Sequence, residues 1–497
     1  MANFDLAIIG GGINGVGIAR DAAGRGLKVL LVEQNDLASG TSSASTKLIH
    51  GGLRYLEHGA WRLVREALAE REVLLRSAPH VVHPIRIVLP TNNGPRSPWL
   101  IRLGLFLYDH LGGHSSLPKA RSISLRHHVY GVPLRRQHTA GLEFSDCMTD
   151  DSRLVVLNAI DAAERGATIR IRTRCTRVER GEVWTLVLNA RGRRDVVTAR
   201  ALVNASGPWV VQVAETVLRV AAPQPVRLAK GTHIVLRRFF DQDCGYMLQN
   251  ADGRVVFALP FQRDFTLIGT TDADFVGDPA APTPTLQEIS YLCDVANAYF
   301  REPIAPADVL WAFSGVRSLY DDGAAKADDV TREYVLALDE GFRLAPLLTV
   351  YGGKITTYRR LAEAALAKIG HFFAAGPAWT SWRRLPGGDF SPEDLQSMIK
   401  DTMQRWPFVT ESHARRLVNA YGTRLDRVLG SAKRIDDLGT RFGSDLTAAE
   451  VSHLVKHEWA ETADDVLWRR TKLGLKVSRD DREALSRYIA SVFGAAS

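Results

Sequence analysis

The stretch Phe4-Asp-Leu-Ala-Ile-Ile-Gly10-Gly11-Gly12-Ile13-Asn14-Gly15-Val16-Gly17-Ile18-Ala19-Arg20-Asp21-Ala22-Ala23-Gly24 decides the fold. An apolar run to Ile9 breaks at three glycines, a small-residue helix follows, and Lys28 to Val32 gives a second strand that ends at Glu33. Strand, glycines, helix, strand and acid in that order form a βαβ dinucleotide fingerprint. Gly10 permits the tight turn, Gly12 lets the backbone approach a pyrophosphate, and Gly15 lets helix and strand pack closely. A diphosphate can then sit on the positive helix N-terminus, beside Asn14. Glu33 is placed to accept hydrogen bonds from an adenosine ribose.

Further along, Leu37 to Tyr55 is a run of hydroxyls and glycines too polar for a core, and it reads as a ligand-lining loop. Ala60 to Leu75 has helical spacing, and the prolines at 79 and 84 separate it from a short strand, Ile85 to Leu89. Residues 91 to 150 read as irregular, apart from the apolar segment Trp99 to Leu111. That segment is too short to cross a bilayer. Its pattern suits a buried core helix better than one lying on a membrane surface with Arg96 and Arg102 near headgroups. Asp151 to Gly166 reads as a helix and Ala167 to Thr173 as a strand. Ala201 to Trp209 is a buried strand running into a small-residue turn at Ala205 and Gly207. Strand-like runs at Arg227 to Arg237, Arg254 to Leu259, Phe265 to Thr270, Val309 to Val316 and Tyr334 to Leu338 suggest an inserted antiparallel layer forming a substrate face.

A second glycine corner follows the strand Leu347 to Tyr351. Gly352-Gly353-Lys354 opens a helix over Ile355 to Ile369, so another helix N-terminus, with a lysine, is available to negative charge. A nicotinamide does not require it. A flavin does, because its reduced ring carries negative charge that Lys354 and the helix would stabilise. Pro377, Pro386, Gly387 and Gly388 mark a linker, beyond which the pattern is helical and charged. The fold class is therefore α/β: a Rossmann-like domain with an inserted antiparallel substrate-binding sheet over residues 1–385, and an all-helical domain over 386–497.

Composition narrows the function. A chain of 497 residues is too long for one small core. The net charge of +8 favours anionic ligands or surfaces, but the basic residues are dispersed, which argues against nucleic acid. Four scattered cysteines without a C-x-x-C point to a reduced compartment. The N-terminus enters a strand directly, so no export signal is expected. His110 and His114 lack a third ligand, and no metal is expected.

The motifs GGGINGVGIARDAAGRGL (10–27), TSSASTKLIHGGLRYLE (41–57), EALAEREVLL (66–75), LVNASGPWV (202–210), LIGTTD (267–272), SGVRSL (314–319), YGGKITTYRRLAE (351–363) and ADDVLWRRTKLG (463–474) recur in this order. In them the chain resembles the bacterial aerobic, FAD-dependent sn-glycerol-3-phosphate dehydrogenases, within the D-amino-acid-oxidase-like flavoproteins. The resemblance implies non-covalent FAD and oxidation of glycerol 3-phosphate to dihydroxyacetone phosphate. It also implies electron delivery to membrane quinone by a homodimer bound peripherally to the cytoplasmic face of the inner membrane. FAD would be held by Gly10, Gly12, Asn14, Gly15, Glu33, Ser42, Ser43, Lys47, Ala205, Gly207, Gly353, Lys354 and Thr356. Arg54, Arg317 and Arg332 match the family's phosphate-binding positions, and Tyr55 and Thr270 its substrate-orienting ones. His50 is the candidate base, since an imidazole is neutral near pH 7. One departure is Ser318, where the family usually has proline, which leaves the loop beside Arg317 less rigid. An oxidase passing electrons to dioxygen shares almost all these residues. A non-catalytic flavin-binding interaction protein is the remote alternative.

Overall fold

The computed structural model describes residues 2–57, 59–91, 97–220, 225–321 and 333–494. Phe4–Ile9 is a strand buried along most of its length between two parallel neighbours, Val29–Val32 and Arg193–Asn204. Leu6 lies opposite both Val29 and Ala201. Arg193–Asn204 pairs in parallel with Leu347–Tyr351, and Val29–Val32 with Thr168–Arg170. An all-apolar run such as Val-Leu-Leu-Val is what a strand covered on both faces requires. The covering helix on one face is Ile13–Gly24, packed between Asp151–Glu164 and Tyr358–Ile369. Its small residues permit the close approach: a Cβ on Gly17 would lie 2.8 Å from the Tyr358 ring, and one on Gly24 2.0 Å from Trp379.

The parallel strands run in one direction, so Ile9, Val32, Asn204 and Tyr351 all end at the same edge of the sheet. The ligand crevice of an open α/β sheet lies outside such carboxyl ends. A second sheet of ten strands faces this edge. Its central members are Val226–Arg237, Phe265–Gly269, Val255–Phe261, Cys244–Gln249, Val82–Pro90 and Ala140–Thr149, with Trp311–Tyr320 antiparallel to the first of these from Val226↔Tyr320 to Val235↔Trp311.

Three expectations change. The second sheet is not wholly antiparallel, because Val82–Pro90 and Cys244–Gln249 run parallel. The run Tyr334 to Leu338 does not join it; Val335–Asp339 is an antiparallel edge strand of the first sheet beside Leu347–Tyr351. Residues 91 to 150 are not irregular throughout, since Ala140–Thr149 is an almost wholly buried ten-residue strand. Glu143, Ser145 and Asp146 masked it in the sequence. Their polar groups are engaged by Arg86 and Arg71 inside the fold, which no periodicity reveals.

The helix Pro98–Leu111 departs from expectation in another way. It buries Ile101, Leu105 and Tyr108, but its outer face exposes Trp99 (67%), Leu100, Leu103 and Phe106 (59%). It is therefore apolar on both sides rather than a core helix. Arg102 is exposed and bonds Ser122, whereas Arg96 lies outside the described residues. Among the described residues no helix is long and apolar enough to cross a membrane.

The C-terminal part is helical, built from Leu395–Arg405, Glu411–Tyr421, Ala448–His457, Arg479–Gly494 and shorter turns. Its own core includes Leu417, Val418, Val451, Leu454, Val466 and Leu485. It meets the larger domain through Trp468, whose ring lies 4.4 Å from that of Trp311 at a tilt of 32°, and through a set of buried ion pairs.

The parallel core sets a stability expectation. Leu348, fully buried, is expected to cost about 3 kcal/mol when cut to alanine. Val196→Ala, at an exposed position of its strand, should cost less than ~0.5 kcal/mol. The midpoints of denaturant unfolding of the two variants check this.

Candidate functional site

A cavity of about 530 Å³ opens where the carboxyl ends of the parallel strands face the second sheet. Three backbone corners form its floor. At the first, Gly10 has φ +118, and a Cβ there would lie 2.5 Å from the Ala205 carbonyl oxygen. A Cβ on Gly15 would fall 1.9 Å from the Gly10 carbonyl, so this glycine serves helix-to-strand packing and does not reach the cavity. Gly12 differs. Its Cβ would meet only the Ser42 hydroxyl, at 3.1 Å, so the space above it is open.

The amide of Ile13 at the helix start donates to Ser42 Oγ at 3.0 Å, which ties the hydroxyl loop to the glycine corner. Glu33 lines the wall and accepts the Gly11 amide at 2.7 Å and the Asn35 amide at 2.8 Å. Burial pushes its carboxyl above the usual range against the pull of those amides. The second corner is Ala205 to Gly207, after the buried Asn204, whose side chain bonds Ser206 and the Val210 carbonyl. The third is Gly352-Gly353, both with positive φ. Asn14 joins it to the first: its Nδ2 donates to the Gly352 carbonyl at 3.0 Å, while its Oδ1 is buried with no hydrogen-bond partner.

The opposite wall carries the reactive groups. His50 follows the strand Leu48–Ile49, and its backbone amide donates to Thr356 Oγ1 at 3.3 Å. Surrounding protein, together with the charges of Lys354 and Arg71, pushes its imidazole down to about 4, so it is neutral at pH 7. Behind it the Gly51 amide donates to the Tyr108 hydroxyl at 2.7 Å, which in turn donates to Asp146, held by Arg71. Lys354 places its ammonium 3.6 Å above the Tyr55 ring. Arg317 projects from the strand Trp311–Tyr320 next to Thr270; a Cβ on Gly231 would approach Thr270 Oγ1 and Arg317 Nη2 at 2.5 and 3.0 Å. Asp272 accepts Arg317 Nη2 at 3.0 Å and fixes the guanidinium without burying it.

The structure thus brings His50, Tyr55, Thr270, Arg317, Lys354, Asn14, Glu33, Ser42, Ala205, Gly207, Gly353 and Thr356 to one cavity, with Gly10 and Gly12 at its floor. It separates others. Lys47, expected on the cofactor, turns its ammonium away to the fully buried Asp151 at 2.8 Å, because a buried carboxylate demands a cation. Ser43 is not on the wall; its hydroxyl closes a turn on the Gly40 carbonyl. Arg54 sits beside Tyr55 on the turn Leu53–Leu56 but does not line the cavity, and its Nε is buried without a partner. Arg332 lies outside the described residues. Ser318 is on the wall next to Arg317, and both lie within the strand Trp311–Tyr320, paired with Leu228 and Ala229, so the expected loop is a strand.

Sequence reasoning missed His233. It lines the cavity from the strand Val226–Arg237, stacked on Phe313 at 5.0 Å, with Nε2 3.0 Å from Thr46 Oγ1 and a partnerless Nδ1. Burial, Lys47 and Arg317 push its ring down to about 3. Its only signal in the sequence was a lone histidine in an apolar strand.

These features fit a flavin dinucleotide. The open space at Gly12 with the helix N-terminus suits a pyrophosphate, Glu33 a ribose, and the orphaned Asn14 Oδ1 a donor of the bound group. At the far corner Gly353 and Lys354 line the cavity with positive charge suited to a ring that gains negative charge on reduction. Comparisons with known proteins agree. Residues 5–359 match the family described as FAD dependent oxidoreductase, and residues 378–495 that described as the C-terminal domain of alpha-glycerophosphate oxidase. A glycerol-3-phosphate dehydrogenase of Pseudomonas aeruginosa is 49% identical over 98% of this chain and 95% of its own. A D-erythritol 1-phosphate dehydrogenase of Brucella abortus is 47% identical over 97% and 96%. The crystal structure of the glycerol-3-phosphate dehydrogenase from Bacillus halodurans, complexed with FAD, superposes with a TM-score of 0.79 at 27% identity, covering 99% of this chain and 91% of that one.

The two glycines separate cofactor binding from folding. Gly12→Ala should fold with near wild-type stability yet bind FAD at least about tenfold more weakly, whereas Gly15→Ala should lower the melting temperature of the apoprotein itself. Flavin titration and thermal unfolding of both variants decide the matter.

Proposed function

For a chain that belongs to the family of FAD-dependent glycerol-3-phosphate dehydrogenases, we propose that the substrate is sn-glycerol 3-phosphate, oxidised at C2 to dihydroxyacetone phosphate. What supports this is that Arg317, Thr270, His50 and Lys354 line one cavity with the Gly352-Gly353 corner. FAD, when bound, supplies the hydride acceptor. The chain's own groups do the rest. Arg317, oriented by Asp272, offers its fork to the phosphate, for which a planar, always-charged group is suited. Thr270 and Tyr55 orient the substrate oxygens. His50, neutral and set by its backbone bond to Thr356, receives the C2 hydroxyl proton. Lys354 and the helix it precedes put positive charge where the ring becomes negative.

The acceptor is quinone in the membrane, and the docking surface is the outer face of Pro98–Leu111, on the cytoplasmic side of the inner membrane. Support comes from the exposed Trp99, Leu100, Leu103 and Phe106 and from the net charge of +8, a combination suited to an anionic interface. The resemblance further supports a homodimer. A second reading of the substrate rests on the Brucella relative: D-erythritol 1-phosphate presents the same phosphate on a longer polyol. Reoxidation by dioxygen is the competing reading of the acceptor.

Anaerobic glycerol 3-phosphate should bleach the flavin faster than D-erythritol 1-phosphate at equal concentration, and the reverse order reassigns the substrate. Quinone analogue should restore the colour faster than air. His50→Gln should retain FAD and slow bleaching by about 10²–10⁴-fold. Because its pKa is lowered, the acid limb of kcat/KM due to His50 should fall below pH ~5 rather than near its ordinary value of ~6.5. Phe106→Glu with Leu103→Glu should abolish sedimentation with anionic vesicles and spare bleaching in solution.

A further inference from the structure

The segment Asp36–Lys47 leaves the first sheet, runs along the cavity and enters the second sheet at Leu48. Ser42, Ser45 and Thr46 from it line the wall. Both ends of this loop are fastened to one short stretch of the C-terminal domain. At the first end the fully buried Asp36 accepts Arg469 Nε at 2.6 Å and Arg470 Nη1 and Nη2 at 2.9 and 2.7 Å. At the second end Asp151 is shared. Its Oδ2 accepts the Ser45 amide, the Ser45 hydroxyl and Lys47 Nζ at 3.2, 2.8 and 2.8 Å, while its Oδ1 accepts Lys472 Nζ at 3.2 Å. Lys472 also donates to Ser152 Oγ at 2.7 Å. Burial alone would raise the Asp151 carboxyl, but the two lysines and Ser45 hold it well below the usual range, so it stays ionised.

The loop cannot hold this shape by local preference. Ala38 and Lys47, near its two ends, have φ of +60 and +61, the left-handed region that a residue with a Cβ disfavours. Such conformations persist where surrounding contacts over-determine them. We propose that Arg469, Arg470 and Lys472 are positioning residues for the flavin site: they set the course of Asp36–Lys47, and through it the cofactor wall, rather than merely joining two domains. Another pair across the boundary behaves differently. Arg424 with Glu164, at 2.5 Å, is more exposed and bears on no residue of the cavity wall. The inference rests on the reading that the cavity holds FAD.

The test uses the full chain stripped of flavin and titrated with FAD, with apoprotein melting measured in parallel. Lys472→Met and Ser45→Ala should each weaken FAD binding at least about tenfold. The double variant should be no weaker than the worse single, because both cut the same chain of contacts. Arg424→Ala should lower melting while leaving FAD affinity within about twofold of wild type. If Lys472→Met does not fold, Arg469→Met, at the partly exposed margin of the clamp, should show the weakened FAD binding instead. Wild-type FAD affinity in every folded clamp variant, or losses that simply add with Ser45→Ala, would overturn the proposal. A wild-type chain that takes up no FAD would instead overturn the flavin reading itself.

Discussion

The parallel strands of the first sheet end at one level, and at three of those ends the chain leaves by a turn that keeps backbone amides near the cavity and side chains out of the way. That steric demand explains Gly10 against the Ala205 carbonyl, Gly15 against Gly10, and Gly353 against Asn14. Coverage on both faces accounts for the all-apolar run Val29–Val32, which does not alternate. The floor of the cavity is the space left when three turns avoid one another, so that floor is a property of the sheet, whereas the loop Asp36–Lys47 and the second sheet supply the walls.

The second sheet supplies what the first lacks. It carries Arg317 and His233 on its strands, and Thr270 just after the strand Phe265–Gly269, to the cavity, while Leu48–Ile49 brings His50. Most arginines inside the molecule are already committed. Arg359 forks onto Glu70, while Arg71 bonds Asp146 and Arg20 bonds Asp161, each joining elements far apart in sequence. Removing one partner of such a buried pair costs about 3–5 kcal/mol, so these pairs enforce one arrangement of the elements. Arg317 differs because Asp272 orients it while leaving part of the guanidinium exposed to the cavity.

The helix Pro98–Leu111 links the outer surface to the site. Its inner Tyr108 takes the Gly51 amide next to His50 and donates to Asp146, while its outer residues stand in solvent. A helix apolar all round is normally buried all round. Here one face is packed and the other is exposed, and the packed face bonds the residue next to the proposed base.

The sequence by itself determined the dinucleotide corner, the second glycine corner and the helical C-terminal region, because each is written locally: an apolar run, glycines at fixed offsets, a helix of small residues, a change of periodicity. It also marked His50, Arg317 and Lys354 as candidates through the motifs around them. Tertiary structure alone decided the rest. Ala140–Thr149 became a strand because distant arginines neutralise its acids, Lys47 turned from the cofactor to Asp151, and His233 arrived at the cavity from a strand that reads as ordinary core. In each case the deciding partner is far away in the chain, and a charge or a hydrogen bond between distant residues leaves no trace in local spacing.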